Sequence, residues 1–135
     1  MEKYNHVIKS AGGILGGILG FCFGEFTVGL KALIALMVLD FISGVLAAGA
    51  RGQISSKIGF IGIAKKVFIL TLAAVGHLID SITVLNGLCM NVVVFFYIAN
   101  EAMSVIENAG RIGLPIPDKL LDAISQLNGK ERDNV

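Results

Sequence analysis

Long apolar tracts separated by short polar breaks dominate the pattern along this chain. A helix crossing a bilayer core of about 30 Å needs about 20 residues, with a range of roughly 17–25, and four segments approach that length: about 4–24, 26–50, 60–85 and 88–109. The first is the weakest, because only Ala11 to Gly24 is uninterruptedly apolar, so it is either a marginal span or lies partly in the interface. The second carries Lys31 near its start, where the stem can snorkel, and Asp40 near its middle, where nothing can. The third opens on Lys65 and Lys66 as anchors and continues uncharged from Val67 to Ile79, and the fourth contains Glu101. The pattern predicts an all-α integral membrane protein with three to four transmembrane helices.

Beyond the fourth segment, Gly113-Leu114-Pro115-Ile116-Pro117 is an extended breaker that cannot continue a helix. Pro117 then suits the first turn of a short amphipathic helix over about 117–128, with Leu120, Leu121, Ile124 and Leu127 on one face and Asn128-Gly129 at its end. The chain divides into a membrane domain, 1–112, and a cytoplasmic tail, 113–135, whose Lys130-Glu131-Arg132-Asp133 run is expected to be a solvated, mobile end.

Composition narrows the class further. Of 135 residues 55% are apolar; exchanging the 2 Tyr for the 17 Gly raises the share to 66%, with 16% charged. Soluble domains sit near about 45–50% and about 25% on those two counts. Such a chain is neither an ordinary soluble enzyme nor a disordered one. Residues 11–50 hold only Glu25, Lys31 and Asp40, and residues 67–110 only Asp80, Glu101 and Glu107. Between them Arg51, Lys57, Lys65 and Lys66 form a basic connection without an acid, acting as topology anchors. By the excess of Lys and Arg, the 51–66 loop and the C-terminus face the cytoplasm, and the N-terminus does too if the first segment spans. Four basic residues over sixteen positions give no support to nucleic-acid binding. Lys3 and Lys9 precede the first apolar stretch, yet no cleavage site leads into a soluble domain, so the segment is read as retained. Cys22 and Cys89, far apart in apolar runs, read as small apolar residues.

Three features could carry function. Gly12, Gly16, Gly20 and Gly24 recur every four residues, placing a side-chain-free stripe on the first helix; it packs either within the protomer, against Gly29, Gly44 or Ala47 of the second helix, or against another copy. Asp40 and Glu101 lie at membrane depth, where a carboxylate costs about 2.5–3.5 kcal/mol and must be paired, protonated or hydrated. Tyr97, Glu101, Ser104 and Asn108 fall on one side of the fourth helix, widened by Asn100 and Glu107, opposite a mostly apolar face. That stripe either locks the bundle by interhelical hydrogen bonds or lines an aqueous opening in an oligomer. His77 and Asp80 adjoin on a helix face but lack a nucleophile, and polar contacts near a membrane surface account for them. No phosphate loop or zinc spacing is present, and Gly59-Phe60-Ile61-Gly62 lacks the context of a dinucleotide site, so no enzymatic activity, cofactor or metal is expected.

The ordered series Leu39-Asp40-Phe41-Ile42-Ser43-Gly44, Gly59-Phe60-Ile61-Gly62-Ile63-Ala64-Lys65-Lys66, Asp80, Glu101-Ala102-Met103-Ser104, Glu107-Asn108 and Gly113-Leu114-Pro115-Ile116-Pro117 with Leu120 resembles the toxin-secretion/phage-lysis holins of Gram-positive phages and prophages. The similarity covers about residues 28–125, leaving the glycine-rich first segment outside it. The resemblance implies a homo-oligomer in the bacterial cytoplasmic membrane that opens holes at a set time, through which a phage endolysin or a toxin passes. The rival readings are a small homo-oligomeric ion channel or proton-coupled transporter, with the same acids as ion sites, and a membrane adaptor whose C-terminal helix docks a soluble partner.

Overall fold

The computed structural model describes residues 1–127, with five helices in chain order: α1 (Glu2–Phe23), α2 (Val28–Ala50), α3 (Ser56–Ile82), α4 (Leu88–Arg111) and α5 (Asp118–Leu127). Asn128-Gly129 and the charged run after it lie outside the described residues. α1 to α4 are each long and apolar enough to cross a membrane. The fold is all-helical, with four candidate spans and a short C-terminal helix.

Local chemistry sets the boundaries. α2 starts at Val28 because the Thr27 hydroxyl accepts from Leu30 N at 3.2 Å. Gly24, at φ 63°, ends α1, and Phe23 and Phe26 pack at a ring separation of 6.1 Å across the joint. α3 begins four residues before the expected start at 60, with Ser55 as its N-cap, so the 51–66 connection shrinks to residues 51–55. Lys57, Lys65 and Lys66 therefore stand on a helix rather than in a loop. Gly59 and Gly62 disguised that turn in the sequence, since glycine weakens a helix interior without forbidding it.

α4 is the central element. α2 and α3 each pack extensively on it and barely touch each other, α1 touches only α3, and α5 folds back on α4. The apolar core fills one half of the bundle, with Leu30, Leu33 and Met37 of α2, Ile69 and Ala73 of α3, and Met90 and Val94 of α4. Many large apolar side chains around it are exposed, including Phe60, Phe68, Phe95 and Phe96. Such a surface belongs against lipid, where a helix can present apolar side chains because its own backbone hydrogen bonds are internal. In α5, Ile124 is buried, Leu121 half-buried and Leu120 exposed, so its apolar face only partly covers α4.

Of the two packings open to the α1 glycine stripe, docking on α2 within the protomer does not occur. A Cβ at Gly12, Gly16 or Gly20 would meet nothing within 4 Å, and α1 has no buried residue. Gly29 and Gly44 of α2 instead face Val94 and Asn108 of α4, and Gly24 faces the His77 ring of α3.

Two residues hold the α3–α4 hairpin in register. A Cβ on Gly76 would stand 2.9 Å from both N and Cα of Met90, so only glycine admits this backbone approach. One turn later Asp80 reaches over the α4 N-terminus: its carboxylate accepts from Cys89 N at 3.0 Å and Met90 N at 2.9 Å. Gly87, the N-cap, has no side chain to do this. Asp80 thus serves as a cap donated by the neighbouring helix, and His77 takes no part in it; the His77 ring lies 3.5 Å from Ser81 Oγ.

Gly76→Ala is expected to destabilise the bundle in detergent micelles by about 1–3 kcal/mol, the usual range for overpacking, measured by thermal or denaturant unfolding. Asp80→Ala should lower the melting temperature more than Asp80→Asn, which keeps one acceptor for an amide. Equal melting of the two would show that the α4 amides do not depend on this side chain.

Candidate functional site

Asp40, Lys66 and Glu101 each stand ten residues from the helix end on the same side of the bundle: Ala50, Ser56 and Arg111 respectively. At 1.5 Å per residue that is about 15 Å, half of a bilayer core of about 30 Å. These three charges meet there. Lys66 Nζ donates to Asp40 Oδ2 at 2.6 Å and to Glu101 Oε2 at 2.5 Å, so one ammonium from α3 ties a carboxylate of α2 to a carboxylate of α4.

Hydrogen bonds extend the knot. Asn108 Nδ2 donates to Asp40 Oδ1 at 3.1 Å and to Ser43 Oγ at 3.0 Å, and the Ser43 hydroxyl donates back to the Asp40 carbonyl at 3.0 Å. Arg111 reaches Asn108 Oδ1 at 3.5 Å. Among the described residues no buried side-chain nitrogen or oxygen lacks a partner. Glu101 is 7% and Asn108 5% exposed, whereas Asp40 and Lys66 are half-buried. With all three ionised the triad carries a net charge of −1, which a low-dielectric site tolerates only while every contact is made.

Below the triad α2 and α3 diverge. The space between them is an open cleft of about 440 Å³ with Asp40, Lys66, Ser104 and Asn108 at its inner end and Arg51 and Arg111 at the level of the helix ends. The bundle thus has a packed apolar half, a polar middle and a cleft half.

The polar stripe predicted on α4 divides in two. Glu101, Ser104 and Asn108 face α2 and α3, with Ser104 half-buried beside the cleft, while Asn100 and Glu107 are exposed on the outer surface. Tyr97 packs against the apolar core and stands edge-on to Phe96. Of the basic residues, Arg51 caps α2, and Lys57 and Lys65 are exposed on α3. Lys66, read from the sequence as an anchor, is instead the counter-ion of both acids. Placing the α3 start at 60 put Lys66 only six residues in, at snorkelling depth, whereas the true start at Ser56 puts it at mid-membrane. The usable signal was charge balance: two buried acids require a cation, and adjacent Lys65 and Lys66 cannot both face lipid. Ser43 was also missed. Cys22 and Cys89 are free thiols, and no three His, Cys, Asp or Glu side chains among the described residues converge as a metal-holding group.

Comparison with known proteins gives a consistent result. The model of the bacteriophage holin family matches residues 17–129. A protein of uncharacterised function from Halalkalibacterium halodurans is 42% identical over 130 residues, covering 93% of this chain and 96% of its own. A 14.9 kDa protein of Clostridium perfringens is 35% identical over 133 residues, covering 97% of this chain and all of its own. A protein named as a probable holin of Bacillus phage phi105 is 33% identical over 114 residues, 84% of this chain and 82% of its own. No solved structure matches. The family match runs from within α1 to the end of α5, through the charged triad and both capping devices, and this multi-pass membrane protein belongs to the bacteriophage holin family.

Proposed function

We propose that this chain is a holin: it accumulates in the bacterial cytoplasmic membrane, self-associates, and opens holes at a set time that let a phage endolysin, or in some systems a toxin, cross. The observation that carries this reading is the triad of Asp40, Lys66 and Glu101 at mid-membrane. Closed within one protomer, it satisfies two acids without water. If α2 or α3 leaves α4, the same groups, with Asn108 and Ser104, become a hydrophilic wall that only an aqueous opening can solvate.

Two further features favour self-association. Asn100, one position before Glu101, is exposed at the same depth, where its amide finds partners only on another chain or in water. Gly12, Gly16 and Gly20 of the α1 stripe are likewise unoccupied within the protomer and open to close approach by a helix of another copy. The excess of Lys and Arg over 51–66 and in the C-terminal tail favours a cytoplasmic side for both, and with four spans for the N-terminus as well.

In this mechanism Lys66 is the tie that delays opening. Asp40→Asn and Glu101→Gln each leave one charged contact in place of two, so both variants insert normally and release a co-expressed cytoplasmic muralytic enzyme earlier than the parent chain. An unchanged schedule in both would overturn the mechanism. Lys66→Met alone leaves two carboxylates without a counter-ion and is expected to destabilise the monomer by about 3–5 kcal/mol, seen as reduced membrane accumulation. Combining it with Asp40→Asn and Glu101→Gln should restore accumulation but abolish timed release, because no water-seeking charge remains. A channel or proton-coupled transporter would instead give saturable small-ion flux without release of a folded enzyme.

A further inference from the structure

The cleft between α2 and α3 extends from the triad toward the helix ends, and its construction is unusual. Gly59 and Gly62 occupy the interior of α3, where glycine weakens a helix relative to alanine. Close packing is not the reason, because a Cβ at either position would meet nothing within 4 Å. The two glycines keep a space open. Its volume, about 440 Å³, lies within the roughly 300–1,000 Å³ typical of small-ligand sites.

The walls are apolar, including Phe41, Val45 and Ile58, and they lie at the depth of acyl chains. The mouth is basic: among the described residues the Arg51 side chain makes no hydrogen bond or ion pair, and the Arg111 side chain has only the 3.5 Å contact to Asn108. Both guanidiniums border one opening at the level of the helix ends, where headgroups lie. Basic pockets between transmembrane helices are a recurrent means of holding anionic headgroups, and a guanidinium matches the geometry of a phosphate. We propose that this cleft binds one anionic phospholipid of the surrounding leaflet, with an acyl chain between α2 and α3 and the phosphate held by Arg51 and Arg111. Bound there, the lipid wedges the two helices at the set spacing that Lys66 bridges. The inference rests on the membrane placement of the chain and not on hole formation, so it is tested without a lysis readout.

The full-length protein in non-ionic detergent is titrated with dioleoyl-phosphatidylglycerol or dioleoyl-phosphatidylcholine and examined by native mass spectrometry. The expected result is one phosphatidylglycerol per protomer, bound about tenfold more tightly than phosphatidylcholine, the effect of one charge-assisted contact. Arg51→Gln and Arg111→Gln should each remove about that factor, while Lys57→Gln and Lys65→Gln, outside the cleft, change nothing. Gly62→Leu fills the cleft and should remove the tight site with helicity retained in circular dichroism. If that variant loses helicity, the arginine variants decide alone. Equal binding of the two lipids, retention of phosphatidylglycerol by the Arg51→Gln/Arg111→Gln double variant, or an equal loss from the Lys57 and Lys65 variants would overturn the site. Displacement of the lipid by millimolar inorganic phosphate, or a lipid-free dimer, would overturn it equally, by assigning the cleft to a free anion or to a second copy.

Discussion

A carboxylate about 15 Å from either membrane surface is stable only if something other than bulk water satisfies it. This chain places two there, on different helices, and gives both to one ammonium on a third helix. Much of the architecture is arranged around that contact. α2 and α3 hardly touch, and their joint attachment to α4 is what brings Asp40 and Lys66 within reach of Glu101. The apolar core occupies the half of the bundle on one side of the triad, and the cleft occupies the other. A purely apolar bundle in lipid has little to fix its register, because lipid tails and leucine side chains are nearly equivalent surroundings. The triad supplies a single satisfied arrangement, with all three members in ion pairs that cannot be exchanged for lipid.

The same economy of contact governs the hairpin at the opposite end. Gly76 lets the α3 and α4 backbones meet, and Asp80 closes the amides that Gly87 leaves open. A fixed hairpin at one end and a salt-bridged middle leave the α2–α3 cleft as the least consolidated part of the bundle. Motion that separates α2 from α3 breaks few apolar contacts but exposes the charged groups. This is the relation between stored polarity and weak packing that the proposed hole formation needs.

Part of this was legible from residue order. The three to four spans, the breaker at Gly113–Pro117 and the prominence of Asp40 and Glu101 follow from apolar length, proline geometry and the expense of burying charge. The partner of those acids was not legible, because its depth depended on a helix start. Ser56 rather than Phe60 begins α3, and a shift of one turn moves Lys66 from interface to bilayer centre. Asp80 was visible as an acid near a turn, but its bond to amides ten residues onward exists only once the hairpin closes.

By itself, the sequence determined the solvent of this protein. An apolar share of 66% with a few clustered charges cannot be satisfied in water, and period and length then dictate helices. Tertiary structure alone decided which polar groups meet: that Glu101, Ser104 and Asn108 turn inward while Asn100 turns out, that Gly12, Gly16 and Gly20 of α1 stay unoccupied, and that one lysine serves two acids. The reason is the difference in range between the two kinds of information. Hydrophobicity acts residue by residue along the chain, whereas an ion pair in a low-dielectric interior depends on angstrom-scale register between helices 26 and 35 residues apart in sequence.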